Sequence, residues 1–130
     1  MTTRATISYF DEDTKKYHSI YLHNDGYLEW AGMVLKRSYS SLDKVKELVT
    51  LGSISVLGDR IVPIGKHSYD EREKGTTVAY HRDRGDEWAN VSPLVTSKLK
   101  KGDRQEFNYL FQDGEWKYIE EDGKEWRLVP

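Results

Sequence analysis

Two Asp-Gly pairs, Asp113-Gly114 and Asp122-Gly123, stand nine residues apart near the C-terminus. Asp-Gly supplies the positive-φ residues that a type I′ hairpin turn demands. Around the pairs the chain alternates. Phe107, Tyr109 and Phe111 interleave with Glu106, Asn108 and Gln112, Trp116 and Tyr118 follow, and Trp126 and Leu128 lie beyond the second pair. Turn signals between period-two aromatic runs predict a three-strand antiparallel meander.

The N-terminus has the same period. Ile7 and Tyr9 alternate with Thr6 and Ser8, and Ile20 and Leu22 alternate with Tyr17, Ser19 and Tyr21. The polar Asp11-Glu12-Asp13-Thr14 between them is turn-like, so residues 4–23 are expected to form an antiparallel hairpin. From Tyr27 the period becomes helical, with Leu28, Ala31, Val34 and Leu35 on one stripe. Gly32 within it implies a close packing contact. Residues 40–52 give the clearest helix signal: Ser40 and Asp43 form a cap-like S-x-x-D, Leu42, Val45, Leu48 and Val49 the apolar stripe, and Gly52 the C′ residue. Residues 53–75 are expected to be an irregular loop with room for one short helical turn. A strand over 76–80 and a connector to Gly102 follow. The order ββ, αα, β, βββ predicts a single α+β domain over residues 1–130, an antiparallel sheet with two helices on one face.

Of 130 residues, 37% are apolar and 32% charged, so the core must rely on large side chains, which 4 Trp, 9 Tyr and 3 Phe provide. The net charge of −2 argues against non-specific nucleic-acid binding. The absence of Cys excludes disulfides and thiolate metal sites. MTTRATISYF lacks the apolar segment of a leader and no apolar run reaches membrane-spanning length, so a soluble, cytoplasmic protein is expected.

Several motifs together resemble a family of small uncharacterised proteins carried by phages, prophages and other mobile elements. They are Tyr21, His23, Asp25-Gly26-Tyr27, Gly32 and Leu35, then Tyr39, Lys44-Val45 and the Leu51-Gly52…Leu57-Gly58 spacing, and finally Tyr80-His81-Arg82-Asp83-Arg84-Gly85. The resemblance covers residues 4–86. Asn24 and Leu28 depart from the pattern, where Trp and Pro are common around Asp-Gly-Tyr. It implies an accessory protein acting in a bacterial cytoplasm, of a kind that commonly binds and disables a host component.

Two clusters carry candidate site residues. In His23-Asn24-Asp25-Gly26-Tyr27, Asp25 or Asn24 suits an N-cap and Gly26 a turn or close approach. The functional alternative sets His23, Asp25 and Tyr27 at a helix N-terminus, where an anion binds well. In residues 81–88, an extended chain would point Arg82 and Arg84 to one side, two forks suited to phosphate or carboxylate. The ordinary alternative is an ion-pair network with Asp83, Asp86 and Glu87. His18, His23, His67 and His81 are scattered without metal-ligand spacing, so neither a metal nor another cofactor is expected. Residues 101–130 carry eight acidic and five basic residues, too mixed for convincing DNA mimicry.

The leading expectation is a non-enzymatic binding protein that antagonises a host function, immunity included, by gripping a nucleotide signal or a host protein. Its ligand-binding residues would be His23, Asp25, Tyr27, Arg82 and Arg84. The alternatives are a small hydrolase or transferase acting on a phosphorylated substrate, with His23 as acid or base, and a structural homo-oligomer using an aromatic sheet face.

Overall fold

Strands β1 (Ala5–Asp11) and β2 (Lys16–Leu22) pair antiparallel with Ile7 opposite Ile20 and Ser8 opposite Ser19, in a computed structural model that describes residues 2–130. This register sends Ala5, Ile7, Ile20 and Leu22 to one face, as the alternation requires. Lys15, at φ 58°, closes the turn with its N–H on the Asp11 carbonyl at 2.8 Å.

At the other end, β6 (Phe107–Gln112) and β7 (Glu115–Glu120) meet at Asp113-Gly114, whose φ angles of 55° and 75° are those of a type I′ turn. Asp122-Gly123 behaves differently. Neither residue has a positive φ, and β8 (Arg127–Leu128) rejoins β7 only at Lys117 and Tyr118. Arg104 donates to the carbonyls of Glu121 (3.3 Å) and Gly123 (3.0 Å), so this connection is pinned sideways as a wider loop.

With β3 at Ile54–Val56 and β4 at Val78–Ala79, the sheet order is β4-β3-β2-β1-β6-β7-β8, and β5 (Leu94–Thr96) pairs β2 off this path. The expectation of a wholly antiparallel sheet is corrected here. β1 runs parallel to β6, and β2 parallel to β3 (Ile54–Val56) at Leu22–Ile54. Helices intervene between β2 and β3, and such a crossover returns the chain in its original direction. β3 and β5 also replace stretches read as loop and connector. β4 (Val78–Ala79) is shorter than the strand expected over 76–80 and pairs antiparallel with β3.

The first helical segment opens as a π-helical turn, Leu28–Gly32, and continues as α1 (Met33–Ser38). A Cβ on Gly32 would sit 2.6 Å from Leu28 Cδ1 and 3.5 Å from Tyr109 Cε1, so the close contact is made against the sheet. In α2 (Leu42–Val49), Val45, Leu48 and Val49 are buried, whereas Leu42 is 37% exposed and leaves the expected stripe. The cap is Ser41 rather than Ser40: its extended backbone lets its side chain accept from Lys44 N–H at 3.3 Å. Ser41→Ala should therefore destabilise by about 1 kcal/mol while Ser40→Ala changes little, a difference that parallel urea titrations would resolve. Gly52 takes φ 77° two residues beyond the Thr50 C-cap.

α1 and α2 cover the face carrying Ile7, Leu22 and Tyr109, and the core centres there on Leu35, Leu48 and Ile54. No helix among the described residues is long and apolar enough to cross a membrane. The opposite face is polar. It carries Thr6, Ser8, Ser19 and Asn108, half-roofed by residues 94–105.

Candidate functional site

Beyond β2, the N–H groups of His23 and Asn24 continue the pairing with β3, on Ile54 O (3.1 Å) and Ser55 O (3.0 Å). Asp25 then takes φ 56°, a conformation Asp tolerates better than most residues. Gly26 is pressed onto β1, where an added Cβ would stand 2.6 Å from Ala5 Cβ, and its carbonyl accepts the Tyr109 hydroxyl at 2.7 Å. The expected cap is corrected. The N-cap position falls on Tyr27 rather than on Asn24 or Asp25, and the Tyr27 side chain makes no capping hydrogen bond. Asn24 instead spends its amide on Ser55 O and Oγ (3.1 and 3.2 Å). His23 Nδ1 is hydrogen-bonded to the Tyr21 hydroxyl at 2.7 Å.

The arginine motif is not extended. Tyr80–Arg84 forms a π-helical turn that ends at Gly85, φ 84°. The strand geometry that would align Arg82 with Arg84 is therefore absent. Arg82 points inward, donating to Thr77 O (2.7 Å), to Ile61 O and to the Asp83 carboxylate (2.9 and 3.0 Å). Asp83, only 5% exposed at its side chain, also accepts Ala79 N–H at 2.7 Å and lies 3.2 Å from His67 Nε2. Burial pushes the Asp83 carboxyl up, but the bonds from Arg82, Ala79 and His67 outweigh it and hold it below the ordinary Asp value.

Arg84 grips Asp86 with both arms at 2.7 Å and lies against both Tyr80 (4.4 Å) and Tyr69 (5.0 Å), whose rings are 6.0 Å apart. Asp86 holds the Arg84 guanidinium above its ordinary pKa. Both forks are thus engaged within the chain, by Asp83 and Asp86, while Glu87 forms no salt bridge among the described residues.

The two motifs meet indirectly, at buried Ser55. Its hydroxyl receives Asn24 from one side and Arg72 (3.5 Å) from the other, and contacts Tyr80. Arg72 lies over Tyr69 at 4.7 Å, which completes a ladder of Arg72, Tyr69, Arg84 and Tyr80.

Glu73 fastens the loop before β4, accepting from Thr76 Oγ1 (2.6 Å), Ile64 N–H (2.9 Å) and Gly65 N–H (2.6 Å). Those bonds, Thr76 first, lower its pKa from 4.5 to about 2. A depressed carboxylate contributes stability that is full above its unfolded value and is lost as pH falls through its folded value. Melting temperature should therefore drop between about pH 4.5 and 2. The drop should be shallower in Glu73→Gln, compared by scanning calorimetry.

A cleft that Tyr21 helps to line escaped the sequence motifs. This open cleft of about 390 Å³ lies on the sheet face opposite α1 and α2. Hydrogen-bonded pairs form its floor, Thr6 with Asn108 (2.9 Å) and Ser8 with Ser19 (2.6 Å). Tyr21 and Trp126 add aromatic surface, and Lys98, Lys100 and Arg104 supply positive charge. None of these three cations forms a salt bridge among the described residues, although Asp103 also lines the cleft. The available sequence signals were the hydroxyls of the alternating strands and the basic run Lys98–Arg104. Tyr21 joins the cleft to His23. Arg82, Arg84, Asp25 and Tyr27 are not among its lining residues.

No family model, curated protein or solved structure matches this chain. The candidate site therefore stands on geometry alone. Among the described residues, no group of three or more His, Asp or Glu is placed to hold a metal ion.

Proposed function

We propose that the protein is a non-enzymatic accessory protein of phage or mobile-element type, which antagonises a host function by binding a small phosphate-bearing signal on the sheet face opposite α1 and α2. The observation that carries this reading is the cleft whose lysines, Lys98 and Lys100, lack an acidic partner among the described residues above a hydroxyl floor. Volumes of this order are typical of small-molecule sites, and charge-assisted bonds to phosphate are strong ones. Binding rather than turnover is favoured because the carboxylates with displaced pKa values, Asp11, Asp59, Glu73, Asp83 and Asp86, hold structural partners and none lines the cleft. His23 borders the cleft through Tyr21 and orients that wall.

The test is titration calorimetry with linear and cyclic nucleotides. Wild type should release heat, and Lys98→Ala with Lys100→Ala should weaken binding by about tenfold for each lysine. Nucleotide recovered unchanged after incubation would separate binding from hydrolysis. Absence of heat with every phosphate compound would remove the reading. A host-protein partner is the second reading, favoured by Val62 and Ile64, which stand 67% and 79% exposed in the loop after β3.

A further inference from the structure

Trp126 differs from the other three tryptophans. Trp30 and Trp116 donate their indole N–H to Leu57 O (3.1 Å) and Tyr39 O (2.8 Å), and Trp88 packs edge-on against His81. Trp126 has neither a ring partner nor a hydrogen bond among the described residues, yet it is half-buried in the wall of the cleft. Its π-face is the one large stacking surface there not claimed by the protein itself, because the Tyr21 ring already leans on His23 at 5.8 Å.

We infer that the cleft takes a single nucleotide, with its base stacked on Trp126 and its phosphate held by Lys98 and Lys100. This rests on the phosphate-binding reading above and narrows it. A flat base needs an aromatic platform, which Trp126 supplies. A sugar is polar on all sides and needs hydroxyl or amide partners, and the partly exposed hydroxyls of Thr6 and Ser19 offer them. The phosphate needs mobile cations whose donors are unspent. Lys98 and Lys100 are exposed and make no side-chain hydrogen bond among the described residues, whereas Arg104 already donates to two carbonyls and is a positioning residue for the 121–126 loop that leads to Trp126. The cleft volume of about 390 Å³ lies in the lower part of the usual range for ligand sites. One platform and that volume suit one nucleotide unit rather than two.

The experiment compares inorganic pyrophosphate, ribose 5-phosphate, adenosine and uridine monophosphates, cyclic adenosine monophosphate and a cyclic diguanylate by calorimetry. The proteins are wild type, Trp126→Phe and Trp126→Leu, with a thermal melt of each variant. The expected result is that mononucleotides bind at least about tenfold more tightly than ribose 5-phosphate. That advantage should persist in Trp126→Phe, which keeps a ring, and vanish in Trp126→Leu. Three results would overturn the inference while leaving the phosphate reading intact: equal binding of ribose 5-phosphate and nucleotides, an undiminished advantage in Trp126→Leu, or preference for the cyclic dinucleotide. Silence from all six compounds would overturn both.

Discussion

Tyr109→Ala should lower the free energy of unfolding by about 3–5 kcal/mol, the range for deleting a fully buried aromatic side chain. Tyr109 has no exposed surface, its ring lies against Gly32 in the first helical segment, and its hydroxyl reaches the Gly26 carbonyl. One side chain thus joins β6, the helices and the turn after β2. Tyr109→Phe keeps the ring and strands only that carbonyl, so it should cost less, about 1–2 kcal/mol. Urea unfolding with an unchanged slope would measure both. Equal losses from the two variants would mean that packing at Gly32 contributes little.

Asp83→Asn is expected to destabilise by roughly 3 kcal/mol, because it removes the charge of a buried carboxylate on which Arg82, His67 and the Ala79 N–H converge. Asp83 is 5% exposed and Arg82 29%, and Arg82 holds the Ile61 and Thr77 carbonyls in place. The same change at Asp86 offers the control. Its partner Arg84 is 46% exposed, and pairs at that exposure contribute about 0–1 kcal/mol. Chemical denaturation of both variants at neutral pH would decide. Equal effects would show that Asp83 is not the anchor of the 61–83 loop.

The legible parts share one property: their signals are local. The β1–β2 hairpin and the Asp113-Gly114 turn are encoded by period-two alternation and positive-φ residues within a few positions. Val45, Leu48 and Val49 mark α2 in the same way. β3 and β5 left no comparable trace. Each has three residues and exists because β2 offers an edge for pairing. Asp122-Gly123 shows the converse, a strong local turn signal reshaped by the distant Arg104.

The candidate residues divide along the same line. That His23, Asp25 and Tyr27 crowd a strand–helix joint was readable, and so was the supply of acids able to neutralise Arg82 and Arg84. Whether those acids or a ligand would take the guanidinium groups was not. The choice depends on a π-helical turn that rotates Arg82 inward to carbonyls contributed by the preceding loop and strand region. The cleft is less legible still, since its floor comes from β1, β2 and β6 and its cations from the roof over them.

By itself, then, the sequence determined an α+β domain with an N-terminal hairpin, two early helices and a C-terminal antiparallel run, because hydrophobic period and turn chemistry act between near neighbours. Only the tertiary structure decided the parallel contacts of β1 with β6 and β2 with β3, the inward course of Arg82, and the gathering of Trp126, Lys98 and Lys100 at one cleft. Each of these joins residues far apart in the chain, and such a meeting is fixed by which faces must be buried together rather than by any local preference.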